Sequence, residues 1–202
     1  MLDLKKGEPG TPAQDIEFLQ SIVEASSHMS EVVKGILATE GLEQQGLTIN
    51  AESVDLSRLC NDLMRVNERV AEQKGIPLTC GIAEGIHVHG DPTRLREAFD
   101  NYVSNAIKYS PPGRKVTVTL AAIDGGQIEF GVRDEGPGLT QDDKNKLFGK
   151  FKRLSAKPTG GELSTGLGLS IVKTIIELHR GTVGCDSEYG HGAYFWARLP
   201  AG

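Results

Sequence analysis

The stretch D-P-T-R-L-R-E-A-F-D-N-Y-V-S-N-A-I-K-Y-S, residues 91 to 110, decides how the rest of the sequence is interpreted. At 100° per residue it predicts a helix with two faces, started by Asp91 as N-cap and Pro92 at the first position. The apolar face consists of Leu95, Phe99, Tyr102, Val103, Ala106 and Ile107. The opposite face carries a polar row of Glu97, Asn101, Asn105 and Lys108. A solvated face usually mixes Lys and Glu, so two carboxamides and an amine in one row indicate a site.

Upstream of this helix, residues 16–42 predict a long helix with two adjacent apolar seams. Such a wide stripe is typical of a helical bundle, and the chain offers it few partner helices. A second copy of the chain is therefore the expected partner, and packing on the chain's own domain is the alternative. Next, Asp55 is predicted to cap a helix that ends near Lys74. Its predicted core stripe consists of Leu56, Leu59, Leu63, Val66 and Val70.

The remaining segments alternate strands and helices. Two short strands are predicted on either side of a turn at Glu84 and Gly85, at residues 76–82 and 86–88. After the polar-row helix comes a hairpin at residues 115–132, followed by a glycine loop at 134–138 and a basic loop at 149–165. A helix at residues 167–179 and a closing pair of strands at 182–199 come next. Helices on one face of a mostly antiparallel sheet define an α+β fold, specifically a two-layer α/β sandwich, here with a long N-terminal helix.

Composition excludes several classes of function. The net charge of −5 argues against wholesale nucleic-acid binding. No apolar run approaches the roughly 20 residues needed to span a bilayer, so a cytoplasmic location is expected, with tethering by upstream segments left open. The three cysteines, Cys60, Cys80 and Cys185, are far apart and predict reduced structural thiols without a zinc site.

Two glycine loops are candidate ligand-binding segments, and the second of them is suited to an anion. Thr165-Gly166-Leu167-Gly168-Leu169 precedes a helix, where backbone N–H groups and the positive helix end favour an anion. The loop is neither a P-loop nor a dinucleotide fingerprint. Taken alone, its glycines are equally well explained as structural.

Three side chains are suited to a nucleotide, although each also has an ordinary structural explanation. A buried Asp134 would accept a hydrogen bond from an exocyclic amine, or would simply form a turn. Asn105 offers a neutral oxygen to Mg²⁺ held mainly by phosphates and water, or would bond a neighbouring loop. Lys108 would approach phosphates, or would be a solvated lysine.

In combination these motifs resemble the catalytic, ATP-binding domain of sensor histidine kinases, within the superfamily that includes gyrase and the chaperone ATPases. N-Y-V-S-N-A-I-K-Y-S resembles the family's Asn box, D-E-G-P-G its first glycine box, F-G-K-F-K-R its Phe box and S-T-G-L-G-L-S-I-V-K its second glycine box. G-H-G-A-Y-F at residues 190–195 is similar to the terminal glycine turn. The resemblance covers about residues 50–200, and it implies a Bergerat-type ATP-binding fold.

The resemblance also implies residue roles. Asn105 would bind Mg²⁺ beside Asn101, and Lys108 with Tyr109 would flank the phosphates and the base. Asp134 would receive the adenine amine, and Arg153 would reach the γ-phosphate from the ATP lid formed by the basic loop. The remaining nucleotide contacts are expected from Gly136, Gly138, Thr165, Gly166, Leu167, Gly168 and Leu169. Positioning and charge neutralisation are most of what phosphoryl transfer requires.

Asn101 points to the type of reaction. Superfamily members that hydrolyse ATP carry Glu at this position, four residues before the magnesium Asn, whereas a carboxamide is a poor base. Transfer to a histidine is therefore expected over hydrolysis. Glu97, one turn earlier, is the less favoured candidate base.

The resemblance is incomplete at the N-terminus. Residues 1–50 resemble the second helix of a dimerisation hairpin, and residues 51–202 the catalytic domain. His28 lacks the family's acceptor motif, so the chain is expected to be a fragment of a protein-histidine kinase without its acceptor histidine. Homodimerisation and a response-regulator receiver domain are the implied partners. The alternatives are a non-catalytic dimeric adaptor or phosphotransfer scaffold with the same fold, and a kinase that transfers to Ser.

Overall fold

The computed structural model describes residues 49–150, 152, 154–160 and 166–202, together with Ile22 and Ser26, which are both helical. Apart from these two positions, the predicted N-terminal helix lies outside the described residues, as does His28. The strands are β1 (Glu52–Asp55), β2 (Leu78–Ile82), β3 (His87–Gly90), β4 (Val116–Ile123), β5 (Gln127–Asp134), β6 (Thr182–Ser187) and β7 (Ala193–Pro200). The helices are α1 (Leu56–Gln73), α2 (Pro92–Tyr109), α3 (Gln141–Lys146) and α4 (Gly168–Leu178).

The strands form two separate sheets. A five-stranded sheet has the order β2-β4-β5-β7-β6, in which only the β2–β4 pair is parallel. β1 and β3 make a two-stranded antiparallel ribbon. The sequence predicted β2 and β3 on either side of one turn but not that they join different sheets. The two ends of the turn between β2 and β3 bond to different elements. At the β2 end Ala83 N donates to Leu120 O of β4, and at the β3 end Ile86 O accepts from Leu56 N of α1.

Helix α2 begins and ends as predicted and fills the centre of the sandwich. The Asp91 side chain accepts hydrogen bonds from the backbone N–H groups of Thr93 and Arg94, and Pro92 opens the helix. Every residue of the predicted apolar face is buried. Phe99 stacks on Phe130 of β5 with ring centroids 3.9 Å apart. The central helix is thus fixed on the central strands, and its polar row is turned away from them.

The predicted core stripe of α1 was partly wrong. Leu56, Leu59 and Leu63 are buried, but Val66 and Val70 are 64% and 51% exposed. The buried positions one step away are Asn67 and Ala71. The Asn67 side chain donates to Leu63 O at 3.1 Å and to Asp100 Oδ1 at 2.9 Å. Because these bonds satisfy the amide, a polar residue occupies the face that hydrophobicity alone assigned to valine.

Candidate nucleotide-binding site

A small cavity of about 50 Å³ lies between α2, the start of α4 and the loop after β5. Its walls are mostly apolar, with one carboxylate and one carboxamide among them. The lining residues are Asn105, Ala106, Tyr109, Asp134, Pro137, Gly138, Leu139, Leu154, Ala156, Leu169, Ala193 and Phe195. This cavity, named here the slot, has apolar walls and a single carboxylate, which is the polarity that a purine base presenting an amine requires.

Asp134 is the last residue of β5, and the residue is 7% exposed. Oδ1 accepts hydrogen bonds from Gly136 N at 2.8 Å and from Ala193 N at 3.3 Å. Both bonds described for this carboxylate go to Oδ1, so Oδ2 is the oxygen left for a ligand. Burial raises the pKa of Asp134 above its ordinary value, although the two backbone N–H groups oppose that shift.

Gly136 is required where the first glycine loop meets α2. A Cβ atom at this position would lie 2.8 Å from Asp134 Oδ1 and 3.1 Å from the Tyr109 carbonyl oxygen. Any side chain would therefore push the loop away from both the carboxylate and the end of α2. Gly136 is thus needed to let the loop approach Asp134 and α2, independently of any contact with a nucleotide.

The polar row lies directly beneath the start of α4. Its four residues are all half-buried. The Asn101 side chain donates from Nδ2 to Glu97 O at 2.9 Å, and a Cβ at Gly168 would come within 2.7 Å of Asn101 Oδ1. Asn105 Nδ2 lies 3.8 Å from the position that a Cβ atom of residue 168 would occupy. The structure thus joins the Asn box and the second glycine box, which are more than 60 residues apart in sequence.

Glu97 is engaged by a neighbour on its own helix. Its Oε2 accepts from Arg94 Nη1 at 2.9 Å. Because Oε2 already accepts from Arg94, it is less available to a water molecule, and Glu97 stays the less favoured candidate base.

The start of α4 offers the positive end of a helix to the polar row. Among the described residues no side chain caps this helix, and Leu167 is its N-cap. Leu167 is buried, and Leu169 lines the slot. An anion above Asn105 would therefore meet the amide-rich end of α4.

The C-terminal end of α2 is an anchoring point for other segments. The Lys108 carbonyl oxygen accepts from Lys74 Nζ at 2.7 Å and from Thr159 N at 3.1 Å, and Tyr109 lines the slot. Gly138 and Gly166 both have positive φ, and Gly166 packs against the backbone of Lys152. Arg153 and Thr165 lie outside the described residues, so their predicted contacts stay predictions.

Sequence reasoning missed several apolar residues of the slot, namely Leu139, Leu154, Ala156 and Phe195. Leu139 and Phe195 each adjoin or fall within a glycine-containing motif, so proximity to those motifs was an available signal. Leu154 and Ala156 lie in the basic loop that the resemblance made the ATP lid, but only its basic residues were singled out and no periodicity marks these two.

No metal site made of protein ligands is present in residues 49–150, 152, 154–160 and 166–202, where no group of three or more His, Cys, Asp or Glu is suitably placed. None of the helices over these ranges is both long and apolar enough to cross a bilayer.

A buried carboxylate at a strand end, facing an asparagine-bearing helix and a glycine-rich helix start, defines an ATP-binding sandwich. The family described as "Histidine kinase-, DNA gyrase B-, and HSP90-like ATPase" matches residues 90–202, and the chain belongs to it. Within that family it is a catalytic ATP-binding domain of the sensor histidine kinase type, which confirms the fold and family predicted from the motifs.

Individual relatives agree with this assignment. The sensor-like histidine kinase SenX3 of Mycolicibacterium smegmatis is 31% identical over 186 residues, covering 91% of this chain and 47% of SenX3. The heme sensor protein HssS of Staphylococcus saprophyticus is 30% identical over 195 residues, covering 96% of this chain and 41% of HssS. The crystal structure of full-length ShkA in complex with AMPPNP superposes with a TM-score of 0.79 at 28% identity, covering 96% of this chain and 40% of ShkA. This chain thus spans less than half the length of these curated relatives.

Proposed function

We propose that this chain binds ATP with Mg²⁺ and transfers the γ-phosphoryl group to a histidine on a dimerisation helix, from which it passes to a response-regulator receiver domain. The observation that carries the proposal is the slot that ends on Asp134. The proposal extends the family assignment to specific residues, a metal, an acceptor and a partner.

Base recognition depends on which oxygen of Asp134 is available. Two backbone N–H groups already bond Oδ1, which fixes the carboxylate plane and leaves Oδ2 as the acceptor. An adenine amine donates to such an oxygen, whereas guanine presents a carbonyl oxygen at the same position and would be repelled. Asp134 would therefore select adenine, and Tyr109, Leu139 and Phe195, which line the slot, would cover the faces and edge of the base.

The phosphates would extend from the slot toward the start of α4. Asn105 would supply one neutral oxygen to Mg²⁺, and the remaining ligands would be phosphate oxygens and water. When bound, this ion neutralises charge on the β- and γ-phosphates. Lys108 would add a positive charge, and Thr165, Gly166 and Gly168 would bring the backbone of the second glycine box close to the phosphates. Arg153 would reach the γ-phosphate.

Asn101 favours transfer over hydrolysis. Its Nδ2 donates to Glu97 O, and its Oδ1 packs against Gly168, so the side chain is held by packing and carries no basic group. Since Glu97 is paired with Arg94, neither side chain is set to activate water. The γ-phosphoryl group would then wait for a histidine brought by the dimerisation hairpin, in which residues 1–50 would be the second helix and 51–202 the catalytic domain.

Asp134→Asn tests the proposal. Asn at this site would keep its oxygen toward Gly136 N and Ala193 N, so that its NH₂ group replaces Oδ2 and opposes the adenine amine. We expect a loss of MgATP affinity of at least about 100-fold, equivalent to about 2.8 kcal/mol, measured by calorimetric titration. Asp124→Asn in the β4–β5 turn is the matched control and should bind as the wild type does.

Transfer is tested separately with a purified hairpin that carries an acceptor histidine, supplied in trans with radiolabelled ATP. Label should appear on the hairpin with the wild type and not with Asp134→Asn. Wild-type affinity in Asp134→Asn would overturn the base assignment. Normal ATP binding with no label on the hairpin would favour the adaptor.

A further inference from the structure

We infer that residues 154–160, named here the latch segment, hold the nucleotide slot closed, and that Ser155 and Thr159 are the positioning residues that keep them there. The inference rests on the proposed function, because it concerns entry of the nucleotide into the same slot.

The latch segment is the wall between two cavities. Ala156 lines both the small slot and a neighbouring open groove of about 670 Å³, and Leu154 lines the slot. The groove is lined by Pro111, Arg114, Glu135, Gly136, Pro137, Gly138, Ser155, Ala156, Lys157, Thr159, Tyr189, Gly190 and His191. Because Pro137, Gly138 and Ala156 line both spaces, withdrawal of the latch segment would merge them into one cleft.

The slot is too small for a nucleotide in this conformation. Its volume of about 50 Å³ is far below the roughly 300 Å³ at which pockets for small ligands begin. Leu154 and Ala156 line the same small cavity as Asn105, Tyr109 and Asp134, so a base that enters there has to displace them. The described conformation is therefore a closed form of the site.

The first tether joins Ser155 to Asp143 of α3. Ser155 N donates to Asp143 Oδ1 at 2.8 Å, and Ser155 Oγ donates to Oδ2 at 2.6 Å. The same carboxylate completes the capping box of α3, accepting from Thr140 N and Oγ1. Burial alone would raise the pKa of Asp143, but these hydrogen bonds together lower the pKa to about 2, so the carboxylate stays ionised and the tether is charge-assisted at neutral pH.

The second tether joins Thr159 to the end of α2. Thr159 N donates to Lys108 O at 3.1 Å, and Thr159 Oγ1 lies 2.8 Å from Ser110 O and 3.2 Å from Lys108 O. These carbonyl groups belong to the last turn and C-cap of α2, where backbone acceptors lack helical partners. The latch segment is thus fixed at both ends, one on α3 and one on the helix that carries the polar row.

The tethers are expected to lower the apparent affinity for the nucleotide. If the competent state is populated only in a fraction of molecules, the apparent affinity falls by that fraction. Removing a tether therefore raises the apparent affinity for the nucleotide and speeds its association. The hydroxyl groups removed have no assigned contact with the nucleotide, so no binding contact is lost. A merely structural role would lower stability without any gain in affinity.

Ser155→Ala and Thr159→Val, singly and together in the full chain, test the inference. Ser155→Ala leaves the Thr140 bonds to Asp143 intact, and Thr159→Val keeps the backbone bond to Lys108. We expect each variant to raise MgATP affinity about three- to tenfold through a faster association rate in stopped flow. Amide hydrogen exchange at residues 154–160 should accelerate in the same variants. Thr159→Ser keeps the hydroxyl group and should show the affinity, association rate and hydrogen exchange of the wild type. Thr182→Val, at an exposed position of β6, should also leave all three unchanged.

The outcomes separate the two proposals. MgATP binding that is unchanged or weakened by loss of the tethers, in a wild type that binds, overturns the latch and leaves the proposed function standing. Absence of MgATP binding in the wild type and in every variant overturns the proposed function, and hydrogen exchange then reports on the tethers alone. Faster exchange together with tighter binding supports the latch.

Discussion

The charge on Asp134 opposes folding, whereas under the proposed function it would favour ligand binding. Burial raises the pKa of this carboxyl group, so the ionised form is less favourable in the folded chain than in the unfolded one. The resulting loss of stability is absent below the ordinary Asp pKa of 3.8 and fully present above the raised pKa. Under the proposed function, the ionised form is nevertheless the one that would offer an acceptor to adenine, because a proton on Oδ2 would turn that oxygen into a donor.

We therefore expect MgATP affinity to fall as the pH is lowered from neutrality through the raised pKa of Asp134. The fall should begin at a higher pH than an exposed carboxylate would give. Calorimetric titrations over a pH series measure it, and the protonation of ATP itself is measured separately and subtracted.

Asp134→Asn supplies the control for this pH dependence. Its weak binding should show no titration in the same range, and its melting temperature at neutral pH should be no lower than that of the wild type. A variant that melts well below the wild type would show that the buried charge stabilises the fold, contrary to the direction of the pKa shift.

At the scale of single elements, His179 joins two helices that are far apart in sequence. It is 5% exposed at the end of α4, where Nδ1 bonds Ile175 O at 2.7 Å and Nε2 accepts from Asp91 N at 2.9 Å. Both ring nitrogens are thereby used, and the ring fixes the end of α4 against the start of α2. The slot lies at the other ends of these helices, so their mutual position there depends partly on this contact.

His179→Ala should lower the free energy of unfolding by about 1–3 kcal/mol, because the Asp91 N–H group loses its partner and a void replaces the ring. Urea unfolding measures the change. His191→Ala, in the exposed β6–β7 turn, is the matched histidine control and should stay within about 0.5 kcal/mol of the wild type. Equal stability of the two variants would show that the ring contributes no fixed contact.

The elements differ in how well the sequence predicted them, for physical reasons. α2 was predicted nearly to the residue because Asp91, Pro92 and one apolar face all agree on it. The buried face of α1 was misjudged because hydrophobicity cannot show that Asn67 finds Asp100 as a partner on another helix. The closed position of Leu154 and Ala156 depends on tethers to residues 12 to 51 positions away, which no local pattern encodes.

At the scale of the whole molecule, the order of elements and the motifs together specified the sandwich, whereas sheet membership did not follow from strand order. β2 enters the main sheet parallel to β4, and β3 leaves it to pair with β1. That ribbon ties the region just after residue 50 to the start of α2, and Asn50 N also donates to Asp91 Oδ2 at 3.2 Å. The described residues are therefore tied to the start of α2 from Asn50 onward, and the domain boundary near residue 50 stays a prediction.

Residues 50–202 should consequently fold and bind nucleotide without the first 49 residues. Every described buried apolar residue lies at Val54 or later, so the deletion removes none of that core.

MgATP at about 100 times its dissociation constant should stabilise the fragment by about 2.7 kcal/mol, which raises the melting temperature by roughly 5–10 °C, equally in fragment and full chain. Thermal unfolding followed by circular dichroism measures both temperatures. A fragment that melts well below the full chain, at a melting temperature that does not depend on protein concentration, would show that residues 1–49 pack on the catalytic unit. An equal melting temperature in a chain that dimerises only with these residues present would instead assign them to the dimer.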